Sequence, residues 1–262
     1  MQLCKHIAQG KLLYLKQDKE AISVSENEHY RWLAFTDEKK EAVIQSVMHK
    51  RKPWLLTLPH QTVMMLPLLF FRPNKVVELG LGGGNTQRFL NHLSPVIELL
   101  SIEQNHTVID SFHHYFNPKN IPTSIVNLHS DTWLTQLNKD SVDWLICDIY
   151  QSAEQGASHT AKQLQSLIDN IDNNSCLSIN LPDASDEEIN VCLAILQQLS
   201  TAHNIYYFHI PNYLNIIIHL IPKHWRITKH LKRGKNSFLP SRLFIKWRTF
   251  WQYANEVKQD ND

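Results

Sequence analysis

Four of the seven glycines in this 262-residue chain fall within five positions, in residues 75–85, KVVELGLGGGN. Glycine lets a ligand reach backbone N–H groups with no β-carbon in the way, and a helix that follows adds free donors and the positive end of its dipole. The pattern is Glu78-x-Gly80-x-Gly82-x-Gly84, set between the apolar KVVEL and the helical NTQRFLNHL, which is the context such a turn needs. A dinucleotide fingerprint would place its third glycine at position 85, where this chain has Asn85. Three further acids close apolar runs: Glu103 in LLSIEQN, 19 residues after Gly84, Asp131 in HSDTWL and Asp148 in DWLICDIY. A carboxylate at Glu103 can accept both hydroxyls of a ribose. Asp131 can accept from an adenine amino group, or simply cap a helix. Asp148 ends a strand, at the edge where open α/β sheets place their chemistry.

These residues need a sheet to align them. From position 75 onward, KVVEL, VIELLSIE, TSIVNL, VDWLICDI and CLSINL alternate with helical stretches. Near-continuous apolar strands of this kind belong to a parallel sheet covered on both faces. NIYYFHI and LNIIIHLI follow too closely for a helical crossover and read as an antiparallel hairpin at the end of the sheet. The expectation is a doubly wound, mostly parallel, seven-stranded α/β sheet that resembles the class I S-adenosylmethionine-dependent transferases, a methyltransferase-like Rossmann fold. In such folds an acid before GxGxG meets a sulfonium nucleoside and needs no pyrophosphate cradle.

Ahead of this lies a different rhythm. LLYL, AISVS and HYRWLAF, separated by polar groups, predict a small antiparallel β-sheet. EKKEAVIQSVMHK has helical spacing, with Ala42, Val43, Val47 and Met48 on one side, and another helix is expected from about Gln61 to Phe70. The domain boundaries expected are 1–58 for the N-terminal β-sheet region, 59–222 for the nucleotide-binding domain and 223–262 for a basic, aromatic tail. Residues 221–253 hold nine Lys/Arg and no Asp or Glu, so the remainder carries about −8. The tail's aromatics are expected to dock it on the acidic body with the cations solvated; RNA or an anionic lipid surface is the alternative partner.

Composition narrows the class. The chain is 43% hydrophobic and 19% charged with a net charge of +1, which describes a globular protein without a global field for nucleic acid or membrane. Cys4, Cys147, Cys176 and Cys192 form no CxxC pair, and no His/Cys cluster marks a metal, so neither a disulfide framework nor a metal site is expected. The longest apolar run, 63–71, is interrupted by Pro67 and falls short of the ~20 residues of a membrane span. With no apolar signal region at the N-terminus, the expected location is cytoplasmic.

Over roughly residues 21–222 the chain also resembles the spermidine synthase (polyamine aminopropyltransferase) family. LPHQTVMMLPLLFFRPNKVVELGLGGGNTQRFL is similar to the family's YxE…LP…HP…VLxxGGGxGGxxRE stretch, SIEQNHTVID to its EIDxxVI and DWLICDIYQS to its DVIIxDxxDP. The resemblance implies that Gln61, Gly80, Gly82, Glu103 and Asp131 hold decarboxylated S-adenosylmethionine and that Asp148 accepts a proton from an attacking amine. It also implies a homodimer through the N-terminal region, which the residues alone do not establish. His60, Tyr150 and Gln151 fall on the acceptor side. There the chain departs from the family: the second acid is Gln151, the proline after it Ser152, the tyrosine–acid pair His60…Thr62 and the glycine-loop acid Gly83. A dicationic substrate would need replacement acids, such as Glu154. The reading is therefore a transferase using S-adenosylmethionine or its decarboxylated form, moving a methyl or aminopropyl group to an open acceptor. The alternative is a non-catalytic nucleotide-binding or scaffold protein that acts through its tail.

Overall fold

The structure, a computed structural model, describes residues 10–17, 21–36, 42–136, 142–149, 156–232 and 238–258, with 156–160 as backbone only. Tyr150, Gln151 and Glu154 lie outside the described residues, as does Cys4.

The first part of the chain forms an antiparallel sheet of four strands in sequential order: β1 (Lys11–Lys16), β2 (Ala21–Glu26), β3 (Tyr30–Thr36) and β4 (Ala42–His49). Strand β4 corrects the helix expected there. Val43, Ile44 and Val47 are β-branched, and β3 offers an edge for them to pair with. The pairing sets Trp32 opposite Val47 and Leu33 opposite Ser46. Both faces of β4 are covered at its far end. Val47 packs with Trp32, Ala34 and Leu58, and Met48 packs with Ile22, Val24 and Leu33. Burial on both sides removes the polar alternation that would have marked a strand.

The helix expected over 61–70 is two pieces, α1 (Pro59–Met64) and a 3₁₀ turn (Leu66–Leu69). Pro67 has no N–H for the Val63 carbonyl four residues back, and its ring crowds that carbonyl. His219 Nε2 fills the gap at 3.1 Å. A carbonyl only accepts, so the His219 proton sits on Nε2, and Nδ1 accepts from Ser178 Oγ at 2.8 Å. Ser178 Oγ in turn accepts from Trp144 Nε1 at 2.9 Å. Burial pulls the His219 pKa down to about 3, so this chain of donors is neutral and ties α1 to the sheet beneath it.

The large sheet has β5 (Lys75–Leu79), β6 (Glu98–Glu103), β7 (Ser124–Asn127), β8 (Trp144–Cys147), β9 (Cys176–Leu181), β10 (His203–His209), β11 (Ile216–Pro222) and β12 (Asn255–Glu256). Its order is β12-β10-β11-β9-β8-β5-β6-β7, with β5 to β9 parallel and β10 to β12 antiparallel. The eighth strand, beyond the seven expected, is a two-residue pairing of the C-terminal segment on β10. The chain winds outward from β5 to β7, then returns to β8 on the other side of β5. That reversal opens a crevice at the carboxyl ends of β5 and β8.

The helices are α2 (Asn85–Leu93), α3 (His106–Ser111), α4 (Ser130–Leu134), α5 (Gly156–Asp169), α6 (Asp186–Leu199), α7 (Ile227–Lys232) and α8 (Ser241–Trp251). One core layer joins Met64, Leu68, Phe89 and Trp144 with Phe244, Trp247 and Trp251 of α8. The opposite layer joins Leu145 and Leu177 with Leu164 and Leu167 of α5 and Leu196 of α6. The basic segment is thus anchored by its aromatics: Trp251 lies edge-on to Phe70 with ring centres 4.6 Å apart, and Trp247 lies 5.7 Å from Phe89. Arg242, Ile245, Lys246 and Thr249 face outward from the same helix.

Candidate functional site

The glycine turn follows β5 directly, and three of its residues have left-handed backbone: Gly80 (φ 93°), Gly82 (φ 50°) and Gly84 (φ 66°). Two of them are required by the protein itself. A β-carbon on Gly80 would lie 2.3 Å from the Asp148 carbonyl oxygen, and one on Gly84 would lie 2.2 Å from the Phe112 ring. At Gly82 nothing comes nearer than Ser46 Cβ at 4.0 Å, so this is where the turn fronts open space. That space is a cleft of about 610 Å³, within the range of small-molecule sites.

Every parallel strand except β7 sends polar groups into the cleft from its carboxyl end: Glu78 on β5, Glu103 on β6, Asp148 after β8 and Asn180 on β9. Leu128, His129 and Ser130 continue the lining after β7. The small sheet forms the facing wall through Phe35, Gln45 and Ser46, and α1 contributes His60 and Gln61. Asn85 Nδ2 donates to Ser46 Oγ at 2.7 Å, pinning β4 against the glycine turn.

Each acid has its own environment. Glu103 accepts from the backbone N–H of Leu81 at 3.1 Å and of Asn105 at 2.8 Å, so it shapes the turn from the neighbouring strand. Burial raises its pKa despite these donors. Glu78 is 2% exposed, accepts from Ser101 Oγ at 2.7 Å, and is pushed up to about 8, chiefly by burial. Asp148 Oδ1 accepts from Asn180 Nδ2 at 2.7 Å, and Asn180 Oδ1 accepts from Asn215 Nδ2 at 3.0 Å. Burial lowers the pKa of His60 against the opposing pull of Asp148, which favours the neutral imidazole.

Two buried polar atoms on this lining have no hydrogen-bond partner, His60 Nδ1 and Gln45 Nε2. Buried polar groups are nearly always paired, so these two atoms are unused hydrogen-bonding capacity on the lining. Gln61 is half committed already: its Oε1 accepts from Thr57 N and Leu58 N, both at 3.1 Å, capping α1.

The candidate residues therefore do not all converge. Gln61, Glu78, Gly80, Gly82, Glu103, Asp148 and His60 line the cleft. Gly84 sits behind the turn against Phe112. Asp131 lies exposed in the first turn of α4, where its own N–H donates to His129 Nδ1 at 3.2 Å, and its neighbours His129 and Ser130 line the cleft instead.

Several cleft residues went unread in the sequence. Gln45 and Ser46 were hidden by the helical reading of β4, whereas Asn180 carried a signal as the polar residue closing an apolar strand. Tyr213 and Asn215 line the cleft from the β10–β11 connection. Arg88 is buried behind the turn, donating to Pro53 O at 2.7 Å, to Phe116 O at 2.9 Å, to Gly83 O and to Asn85 Oδ1. These acceptors clamp the turn to the segment that enters α1. Among the described residues no three His, Cys, Asp or Glu side chains gather as a metal site.

No family model and no curated protein matches the sequence. Solved structures do match the fold. A spermidine synthase in complex with the transition-state analogue AdoDATO is 16% identical with a TM-score of 0.63, over 90% of this chain and 84% of that one. A probable spermidine synthase from Corynebacterium glutamicum is 14% identical with a TM-score of 0.64, over 97% and 99%. Human methyltransferase-like protein 13, in complex with SAH, is 14% identical with a TM-score of 0.56, over 74% and 91%. The chain has a spermidine synthase-like, class I S-adenosylmethionine-transferase fold.

Proposed function

We propose that the cleft binds a sulfonium nucleoside, S-adenosylmethionine or its decarboxylated form, and transfers a methyl or aminopropyl group from it to an acceptor oriented by Asp148. The observation that carries this reading is the convergence, at the β5/β8 crevice, of an open left-handed glycine turn with Glu103 beside it and a carboxylate opposite. The donor fits the residues present. Gly82 leaves room at the turn, Glu103 at the end of the neighbouring strand can accept ribose hydroxyls, and Gln45 Nε2 offers an unused donor. Glu78 also lines the cleft, its carboxyl pushed by burial toward the protonated form. The bound ligands named for two of the structural neighbours, AdoDATO and SAH, belong to this adenosyl class.

In the transfer, the acceptor's lone pair forms a bond to the carbon attached to sulfur. The carbon–sulfur bond breaks with its electrons going to sulfur, which becomes a neutral thioether. Asp148, fixed by Asn180, orients the acceptor through its other carboxylate oxygen and takes the proton that the acceptor loses. His60, favoured in its neutral form and with Nδ1 unpartnered, is a second polar group near Asp148 that can hydrogen-bond the acceptor. The sulfonium is itself an excellent leaving group, so positioning supplies most of the catalysis.

The test is to incubate the protein with each donor and a panel of amines and to identify the nucleoside product by chromatography. S-Adenosylhomocysteine identifies methyl transfer and 5′-methylthioadenosine identifies aminopropyl transfer. Absence of both with every acceptor counts against the transferase reading.

A further inference from the structure

The C-terminal segment is held against the body of the protein mainly by apolar packing. Its aromatics supply much of this, with Trp225 packed against Phe71 at 4.2 Å between ring centres and Trp247 and Trp251 buried. Among the described residues, no carboxylate pairs with Arg226, Lys229, Lys232 or Arg242, and Lys246 lies over the Phe250 ring at 5.5 Å. Helices α7 and α8 are neighbours: Arg248 Nη1 of α8 donates to Leu231 O of α7 at 3.4 Å. A shallow concavity of about 480 Å³ on α7 is lined by Arg226, Thr228, Lys229 and Lys232 together with Ile227.

This face is remote from the cleft. Strand β11 runs antiparallel to β9, with Ile216 opposite Leu181 at the cleft end and Leu220 opposite Leu177 at the other. The chain therefore leaves β11 at the amino ends of the parallel strands and enters α7 there.

We propose that the α7–α8 face is a second binding surface, for the phosphate backbone of nucleic acid. Arg226, Lys229, Lys232, Arg242 and Lys246 stand exposed on this face, in a segment without Asp or Glu on a body of about −8, so positive charge gathers where an overall charge of +1 conceals it. Phe244, Trp247 and Trp251 are buried and only Tyr253 among the described aromatics of this segment is more than half exposed, so contact is chiefly with phosphates and is indifferent to base. A bilayer fits less well. Ile245 and Tyr253 are the only large apolar side chains more than half exposed among the described residues of this segment, too few for interfacial insertion.

The experiment is fluorescence anisotropy of labelled 20-nucleotide oligo-U and oligo-A against the full-length protein across a salt series. The expected affinity is in the range of about 10⁻⁶ to 10⁻⁴ M at physiological salt, similar for both oligomers. Five neutralised phosphates would give a log–log salt slope of about −3.5. The triple variant Arg226→Gln/Lys229→Gln/Lys232→Gln should reduce that slope by about 2, with an unchanged melting temperature showing that the fold persists. No anisotropy change at low salt overturns the proposal, as does a native slope in the triple variant. Sedimentation with phosphatidylserine vesicles without oligonucleotide binding also overturns it, in favour of a bilayer.

Discussion

Asn180 Nδ2 donates to Asp148 Oδ1 at 2.7 Å, joining the end of β9 to the loop after β8. One oxygen of the carboxylate is fixed in this way, and the rotamer that presents the other is set by Asn215 behind Asn180. On the proposed mechanism, Asp148→Asn removes the proton acceptor and leaves the nucleoside site intact, so turnover should fall by roughly 10²- to 10⁴-fold while donor affinity stays within a few-fold. Asn180→Leu keeps the carboxylate but frees it, and a lost hydrogen bond to a charged group predicts a roughly 10- to 100-fold loss. Chromatographic measurement of thioether product reads both.

Glu78 gives the fold a pH dependence. Its folded pKa, about 8, stands above the 4.5 of an ordinary glutamate, so the folded state binds its proton more tightly than the unfolded chain does. Its contribution to stability is complete below about pH 4.5 and is lost as pH rises toward 8. Glu78→Gln keeps an acceptor for Ser101 and cannot ionise. Urea denaturation at pH 5 and pH 8.5 should show a smaller difference between the two pH values in the variant than in the native chain.

His219 acts in the opposite direction. Its pKa is depressed to about 3 from 6.5, so its contribution is complete above about pH 6.5 and is lost as pH falls toward 3. His219→Gln should flatten stability over that interval. At pH 7 it should cost about 1–3 kcal/mol, because Val63 O or Ser178 Oγ loses its matched partner. Equilibrium denaturation across pH 4 to 7 is the measurement.

The glycine turn separates strain from collision. Gly82→Ala meets nothing within 4.0 Å and carries only the left-handed backbone penalty, about 1–2 kcal/mol. Gly80→Ala adds a β-carbon 2.3 Å from the Asp148 carbonyl and should be the more destabilising of the two by at least about 1 kcal/mol. Denaturant midpoints of the two variants decide this.

The glycine turn and the alternation of strands were legible because glycines and apolar runs report local backbone and burial. What failed to show was anything decided by two-sided packing. Strand β4 is apolar on both faces near Val47 and Met48, so its spacing mimicked a helix and concealed Gln45. Pro67 broke the helix expected over 61–70 in a way visible in the sequence, but the partner that the break exposed, His219, lies 156 positions from Val63. The aromatics of the basic segment could be expected to dock, yet nothing local revealed that Trp247 and Trp251 share a core with Trp144. Glu103 ends a strand and Asp131 follows one in the sequence, and only the fold separates an exposed first-turn acid from one whose Oε2 already accepts from Leu81 N of the glycine turn.

The central claim is that the cleft holds a sulfonium nucleoside, and calorimetric titration of the full-length protein with S-adenosylmethionine and with its decarboxylated form tests it most directly. The account predicts saturable one-to-one binding of at least one donor, weakened in a Gln45→Ala variant that keeps its melting temperature. Tighter binding of the decarboxylated form assigns aminopropyl transfer, and tighter binding of S-adenosylmethionine assigns methyl transfer. No heat of binding with either donor would contradict the account.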